Sequence, residues 1–113
     1  MKLLTKEIEA KLPAFRNDGE SAEVAQVKFF CPWGSLTWYA SEAVAVLEDG
    51  TEVSLRDPRA AQRDDVKFFG VVSGDFREYG YFMLSELTSI KGPMGLTIER
   101  DLYWHARQLT ECN

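Results

Sequence analysis

The chain has 113 residues, of which 45% are hydrophobic, 27% are charged and 12% are aromatic, and its formal net charge is −5. These values are typical of one globular domain, so we predict a single domain over residues 1–113. The basic residues are scattered, which disfavours direct binding to nucleic acid, because contacts with phosphates require clustered Lys and Arg. An acidic surface suits a protein partner with a basic face, or it serves solubility alone.

The cysteine content and the N-terminal segment predict a cytoplasmic protein. Cys31 and Cys112 are the two cysteines, which are too few for a disulfide framework. Glu7 and Glu9 interrupt the stretch that would be apolar in a secretory signal. No apolar run approaches the roughly 20 residues that a membrane-spanning helix needs.

The first predicted element is a short helix over Thr5–Leu12, capped by Thr5 and ended by Pro13. An apolar stripe on this helix should dock on a sheet, and it consists of Leu4, Ile8 and Leu12. The polar segment Arg16–Glu23 predicts a loop. A strand over Val24–Cys31, a turn and a returning strand over Leu36–Ala40 should follow.

Asp49-Gly50 predicts a tight hairpin, because a type I′ turn needs positive φ at both of its central residues. That turn would place Val46 opposite Val53 and Val44 opposite Leu55, all on one face of the sheet. Asp57–Asp65 is charged and contains a proline, and we interpret it as a connection. Residues 43–65 together form the hairpin and connection.

The C-terminal half predicts two paired strands, a capped helical turn and a last strand. The strands are Val66–Ser73 and Tyr79–Leu84, the helical turn is Glu86–Ile90 with Ser85 as its cap, and the last strand is Leu102–Arg107 before a tail over Leu109–Asn113. The predicted fold class is α+β, with an antiparallel five- to six-stranded meander and two short helices. A small half-open β-barrel is the alternative architecture.

The chain contains one four-residue sequence twice, as Val27-Lys28-Phe29-Phe30 and as Val66-Lys67-Phe68-Phe69. Each begins a predicted strand. An internal duplication and a chance similarity between two hairpins both explain the repeat, and the sequence leaves them open.

The familiar catalytic arrangements are absent from this sequence. His105 is the single histidine, so neither a zinc site nor a histidine-dependent nucleophile is predicted. The segment Gly92–Gly95 lacks the lysine and hydroxyl of a phosphate-binding loop. We predict no catalytic residue, no metal and no cofactor, and the sequence favours a protein that is not an enzyme.

The candidate binding residues fall into two groups. Trp33 and Phe76 lie in predicted turns, where exposed aromatic side chains are plausible hot spots for a protein partner. The second group is a possible ligand site built from Glu99, Arg100 and Asp101 with Trp38 and Tyr39. The Arg100 guanidinium could instead bridge carboxylates or cap chain ends, because it presents a rigid fork of donors.

Several blocks of the sequence resemble a bacterial family described as domain of unknown function 2958. The blocks are Met1-Lys2-Leu3-Leu4-Thr5-Lys6, Leu12-Pro13-Ala14, Lys28-Phe29-Phe30, Thr37-Trp38-Tyr39-Ala40, Phe68-Phe69-Gly70, Gly80–Leu87, Lys91–Leu96 and Ile98–Tyr103. The chain departs from the family pattern between Ala43 and Asp65, where family members vary. The resemblance implies a small cytoplasmic accessory protein of plasmids, integrative elements or prophages, and it implies no activity.

Three functions are compatible with these observations. The first is a non-enzymatic protein-binding module of a mobile genetic element, with action against host defence as one option for its role. The second is a small enzyme or ligand-binding domain that uses Glu99, Arg100 and Asp101. The third is a structural homo-oligomer that associates through an exposed strand edge.

Overall fold

A six-stranded antiparallel sheet organises the protein, and the computed structural model describes residues 1–15 and 23–113. The elements are helix α1 (Lys6–Glu9), strands β1 (Val24–Ala25), β2 (Val27–Phe30), β3 (Thr37–Val46), β4 (Glu52–Ser54), β5 (Asp65–Ser73) and β6 (Arg77–Met83), helix α2 (Leu84–Ser89), and strands β7 (Glu99–Arg100) and β8 (Arg107–Gln108). Short 3₁₀ helices lie at Pro58–Gln62, Pro93–Gly95 and Leu109–Glu111. The loop predicted at Arg16–Glu23 lies, except for Glu23, outside the described residues.

The strand order is β6-β5-β3-β2-β7, and β4 pairs with the far end of β3. The strands β1 and β8 form a separate two-stranded pair. Every pairing between these strands is antiparallel, and half of the pairings join neighbours in the chain. The predicted α+β class with an antiparallel meander and two short helices is confirmed. The sheet is not closed into a barrel, which excludes the alternative architecture.

One side of the sheet, here called the inner face, carries the main core. Phe29, Phe68 and Phe82 lie there, with ring centroids 5.5 Å apart between Phe29 and Phe68 and 5.3 Å apart between Phe68 and Phe82. Side chains from both ends of the chain cover these rings; they include Leu4, Leu12, Leu87 and Ile98. The predicted docking of the stripe of Leu4, Ile8 and Leu12 on the sheet is therefore confirmed. The helix is shorter than the predicted Thr5–Leu12, so Leu4 and Leu12 pack from the segments that flank it.

Helix α1 is held in place by a cap and by two arginines on either side of the 3₁₀ helix Pro58–Gln62. The Thr5 hydroxyl accepts a hydrogen bond from the Ile8 amide at 3.3 Å, as predicted for the N-cap. The Arg56 guanidinium donates to the carbonyls of Leu12, at 3.0 Å, and of Ala10. Arg63 forms a bidentate ion pair with Glu9. The Arg56 hydrogen bonds satisfy carbonyl groups just beyond the C-terminal end of the helix, and the Thr5 hydroxyl satisfies an amide at its start.

The predicted register of the Asp49-Gly50 hairpin is wrong by one residue. Val53 lies opposite Ala45, and Val46 lies opposite Glu52. Gly50 adopts a φ of 88°, whereas Asp49 does not have positive φ, so the type I′ turn does not form. The Leu47 amide donates to the Thr51 carbonyl instead, which closes a three-residue connection with glycine at its left-handed position.

Three predictions for the C-terminal half need correction. Of the predicted strand Leu102–Arg107 only Arg107 lies in a strand, because the chain turns after Asp101 and pairs again only at β8. Helix α2 begins at Leu84, and the Ser85 hydroxyl donates to the Asp65 carboxylate rather than capping the helix. The tail contains a 3₁₀ helix, and its Leu109 and Cys112 side chains are buried.

None of the helices in residues 1–15 and 23–113 is long and apolar enough to cross a membrane.

Candidate functional site

The side of the sheet opposite the main core, here called the outer face, carries aromatic and basic side chains in adjacent rows. Residues directly opposite each other in antiparallel strands share a face. One row therefore consists of Lys28, Tyr39, Val71 and Tyr79, and the next contains Phe69 and Tyr81. Tyr79 and Tyr81 remain 51% and 58% exposed. Two large amphipathic side chains are thus available to a partner on strand β6.

Each cation–aromatic contact that the structure shows lies on this outer face. The Lys67 ammonium is 4.7 Å from the Tyr81 ring centroid, and the Arg77 guanidinium is 5.1 Å from that of Tyr79. Arg107 lies 4.3 Å from the Trp104 ring, and Lys28 lies 6.0 Å from the same ring. Such contacts are attractive because a cation faces the negative π-surface of the ring. The Lys67 ammonium also forms an ion pair with the Glu52 carboxylate at 3.1 Å, so the outer face combines cation–aromatic contacts with acidic side chains.

The C-terminal segment covers part of the outer face and forms a second, smaller core. Leu109 and Cys112 pack with Tyr39 and Val71, and Trp104 borders this cluster. The Arg77 guanidinium donates to the carbonyls of Leu109 and Cys112, each at 2.6 Å. The Tyr39 hydroxyl donates to the Asn113 carbonyl at 3.1 Å. These contacts anchor the end of the chain and leave Tyr79 and Tyr81 beside it.

Burial raises the pKa of the Tyr39 hydroxyl above its ordinary value of 10.0, since the charged form would lose hydration. The contribution of the Tyr39 hydroxyl to the free energy of unfolding is therefore fully present below pH 10. It falls as the pH rises toward the pKa of the folded protein, because the unfolded chain loses this proton first. We expect Tyr39→Phe to reduce the loss of stability above pH 10. Urea unfolding at several alkaline pH values measures the free energy of unfolding of both proteins. An equal decrease of this free energy with pH in the wild type and in Tyr39→Phe would contradict the expectation.

The structure separates the sequence-predicted aromatic residues. Phe76 is 80% exposed in the turn between β5 and β6. Trp33 instead packs against the main core and against Gly92, where an added Cβ would lie 2.5 Å from the indole. Trp38 is buried on the inner face and Tyr39 on the outer face, because adjacent residues of a strand point to opposite sides. The two residues therefore do not line a common pocket.

The triplet Glu99-Arg100-Asp101 is divided in the same way. Arg100 lies opposite Phe29 on the inner side, whereas Glu99 lies opposite Phe30 on the outer side. The Arg100 guanidinium donates to the carbonyls of Lys2, at 2.7 Å, and Leu3, at 3.3 Å, which is the chain-end cap that the sequence offered as one possibility.

Asp101 serves the turn that follows the triplet. Its carboxylate accepts a hydrogen bond from the Tyr103 amide at 2.9 Å, and its own amide donates to the Lys28 carbonyl. Arg100 and Asp101 still border a cleft of about 290 Å³ beside helix α1, together with Trp104. The two residues of the triplet that line this cleft, Arg100 and Asp101, thus already make hydrogen bonds to the backbone.

In residues 1–15 and 23–113, no group of three or more His, Cys, Asp or Glu side chains is arranged to hold a metal ion.

The sequence analysis missed most residues of the outer face, namely Lys28, Lys67, Phe69, Tyr79, Tyr81, Trp104 and Arg107. Two features of the sequence are consistent with this face. The repeated Val-Lys-Phe-Phe segments place Lys28 and Lys67 at equivalent positions, and both lysines lie on the outer face. The alternation of Tyr79 and Tyr81 was a second signal, because such residues share a face of a strand.

The fold and the outer face define a small antiparallel α+β protein with an exposed aromatic and basic surface. Its sequence matches the family described as protein of unknown function (DUF2958) over residues 59–111. The chain thus resembles this family across β5, β6, α2, β7 and β8, whereas the blocks quoted before residue 59 lie outside the matched span. No match was found among curated proteins, and none among solved structures.

Proposed function

We propose that this protein is a non-enzymatic binding module that engages another protein through its outer face. The observation that carries the proposal is the concentration of cation–aromatic contacts on one side of the sheet, next to two half-exposed tyrosines. Tyr, Trp and Arg are the residues that most often dominate protein interfaces. Their side chains combine a large apolar area with a polar tip.

The chemistry of the outer face favours a partner protein whose binding surface carries apolar and acidic side chains. The sequence suggested a partner with a basic face, from the net charge of −5. The position of two cations supports a partner with an acidic face instead, because the Lys28 ammonium and the Arg107 guanidinium both lie near the Trp104 ring. A protein partner is favoured over single-stranded nucleic acid, because base stacking needs a free ring face. Lys67 and Arg77 already lie over the rings of Tyr81 and Tyr79.

The ligand-binding alternative based on Glu99, Arg100 and Asp101 receives less support. Arg100 and Asp101 make backbone hydrogen bonds, and Glu99 lies on the other side of the strand. The accessory role on a mobile genetic element, including action against host defence, is a proposal that rests on the family resemblance. Genes for plasmid transfer, integration or phage functions beside this gene would support it, and a uniformly housekeeping neighbourhood would oppose it.

The outer face is tested by reversing two of its charges. We expect Lys28→Glu combined with Arg107→Glu to weaken partner binding by about tenfold or more, because like charges would then oppose an acidic partner surface. Immobilised wild-type protein and variant are compared for capture of proteins from a lysate of the source cells. Mass spectrometry identifies proteins that the wild type retains.

The matched control is Lys2→Glu combined with Lys91→Glu, which changes the net charge equally. Both control side chains are exposed and lie away from the outer face. The control should retain the same proteins as the wild type. If both double variants captured equally less of these proteins, the effect would be one of overall charge. If the outer-face variant still captured them, binding would occur through another surface.

A further inference from the structure

In the part of the chain that the structure describes, strand β6 is an outer strand of the sheet. Among the described residues it pairs with β5 alone, through seven consecutive residue pairs without a bulge. An edge strand exposes a row of unpaired backbone donors and acceptors, and monomeric proteins usually shield such edges with proline, lysine or a bulge. Strand β6, with the sequence Arg-Glu-Tyr-Gly-Tyr-Phe-Met, has no proline, lysine or bulge. Its two charged residues, Arg77 and Glu78, lie at the start of the strand, and the segment Tyr79–Met83 carries no charge.

The centre of β6 is also palindromic. Tyr79 and Tyr81 flank Gly80, so a second copy that runs antiparallel to β6 would meet the same residues in the reverse order. A two-fold interface has this property, because residue i contacts residue j and residue j contacts residue i. Antiparallel pairing additionally requires opposite residues to share a face, and a register centred on Gly80 meets this requirement.

We infer that two copies of this chain associate through β6 in that register and join their sheets. Tyr79 of each copy then lies opposite Tyr81 of the other on the joined outer face, and the register pairs all seven residues of the strand. Gly80 lies on the two-fold axis, where the structure has open space, since no atom lies within 4 Å of a Cβ added there. Arg77 does not oppose this pairing, because it is bound to the C-terminal carbonyls of its own chain.

Sedimentation equilibrium of the full chain tests the association directly. We expect a monomer–dimer equilibrium for the wild type. Tyr79→Lys combined with Tyr81→Lys should raise the dissociation constant of the dimer by about tenfold or more, because it places like charges opposite each other twice. Tyr103→Lys, at a residue that is 87% exposed in a turn, is the control and should leave the dimer intact.

A cysteine at the two-fold axis provides a second readout that does not depend on weakening the strand. Gly80→Cys should form an intermolecular disulfide under mild oxidation, because directly opposite residues of antiparallel strands lie within disulfide range. Phe76→Cys is the control, since residue 76 precedes the paired strand. Circular dichroism verifies that each variant is folded.

A wild-type monomer at all concentrations would overturn the inference. So would a dimer that survives the double lysine variant, or Gly80→Cys cross-linking no faster than Phe76→Cys. The charge reversals at Lys28 and Arg107 do not touch β6, so the failure of either proposal can be distinguished from the failure of the other.

Discussion

Gly70→Ala should lower the free energy of unfolding by about 3 kcal/mol or more, at or beyond the upper end of the usual cost of overpacking a core. A Cβ at residue 70 would lie 1.7 Å from the Tyr39 carbonyl oxygen and 2.8 Å from the Tyr39 carbonyl carbon. These are backbone atoms of β3, next to the irregular pairing between Ala40 and Glu42. The two central strands would have to separate there. Chemical denaturation followed by tryptophan fluorescence measures the loss.

Gly80→Ala is the matched control for this substitution. Gly80 lies directly opposite Gly70 in the neighbouring strand, and no atom lies within 4 Å of its added Cβ. We expect its unfolding free energy to stay within about 0.5 kcal/mol of the wild-type value. If Gly70→Ala proved as harmless as Gly80→Ala, the close contact between β3 and β5 would be incorrect.

Phe68→Ala should lower the free energy of unfolding by about 3–5 kcal/mol, the usual cost of truncating a buried phenylalanine. Phe68 is 0% exposed and contacts Phe29 edge-on and Phe82 in a stacked arrangement. Its removal would leave a cavity between these rings that neither can fill without losing its other contacts. Because small domains are stable by only about 5–15 kcal/mol, part of the protein should be unfolded at 37 °C.

The same substitution at Phe76 gives the control. Phe76 is 80% exposed, so Phe76→Ala should change the unfolding free energy by less than about 0.5 kcal/mol. Thermal unfolding followed by circular dichroism compares the two variants with the wild type. Similar melting temperatures for both variants would place the core elsewhere than on the inner face.

Local sequence signals predicted most of the fold. Thr5 marks the start of helix α1 because its hydroxyl can accept the Ile8 amide, which requires only residues three apart. Strands β5 and β6 follow from short apolar and aromatic runs separated by a Gly-Asp turn. These features depend on neighbouring residues, and a sequence displays them directly.

The wrong predictions have physical causes that lie outside the local sequence. The hairpin at Asp49-Gly50 uses a three-residue connection, and the same dipeptide is compatible with both turn types. Residues 102–107 have the composition of a strand, but the Asp101 carboxylate binds the Tyr103 amide and turns the chain. Tertiary contacts decide between such alternatives.

The candidate site was hidden from sequence analysis for a similar reason. Lys28, Tyr39 and Tyr79 are far apart in the chain and lie in one row only because three strand registers coincide. Arg100, which the sequence placed in a possible ligand site, is used to hold Lys2 and Leu3. Arg100 of the charged triplet is therefore a structural clamp. The lysines of the repeated segments, Lys28 and Lys67, instead lie on the outer face.

Titration of the captured partner against the wild type, the outer-face double variant and the charge-matched control tests the role of the outer face most directly. Isothermal calorimetry should give equal affinities for the wild type and for Lys2→Glu with Lys91→Glu. It should give an affinity about tenfold lower or worse for Lys28→Glu with Arg107→Glu. Equal affinity of all three proteins would contradict binding through the outer face.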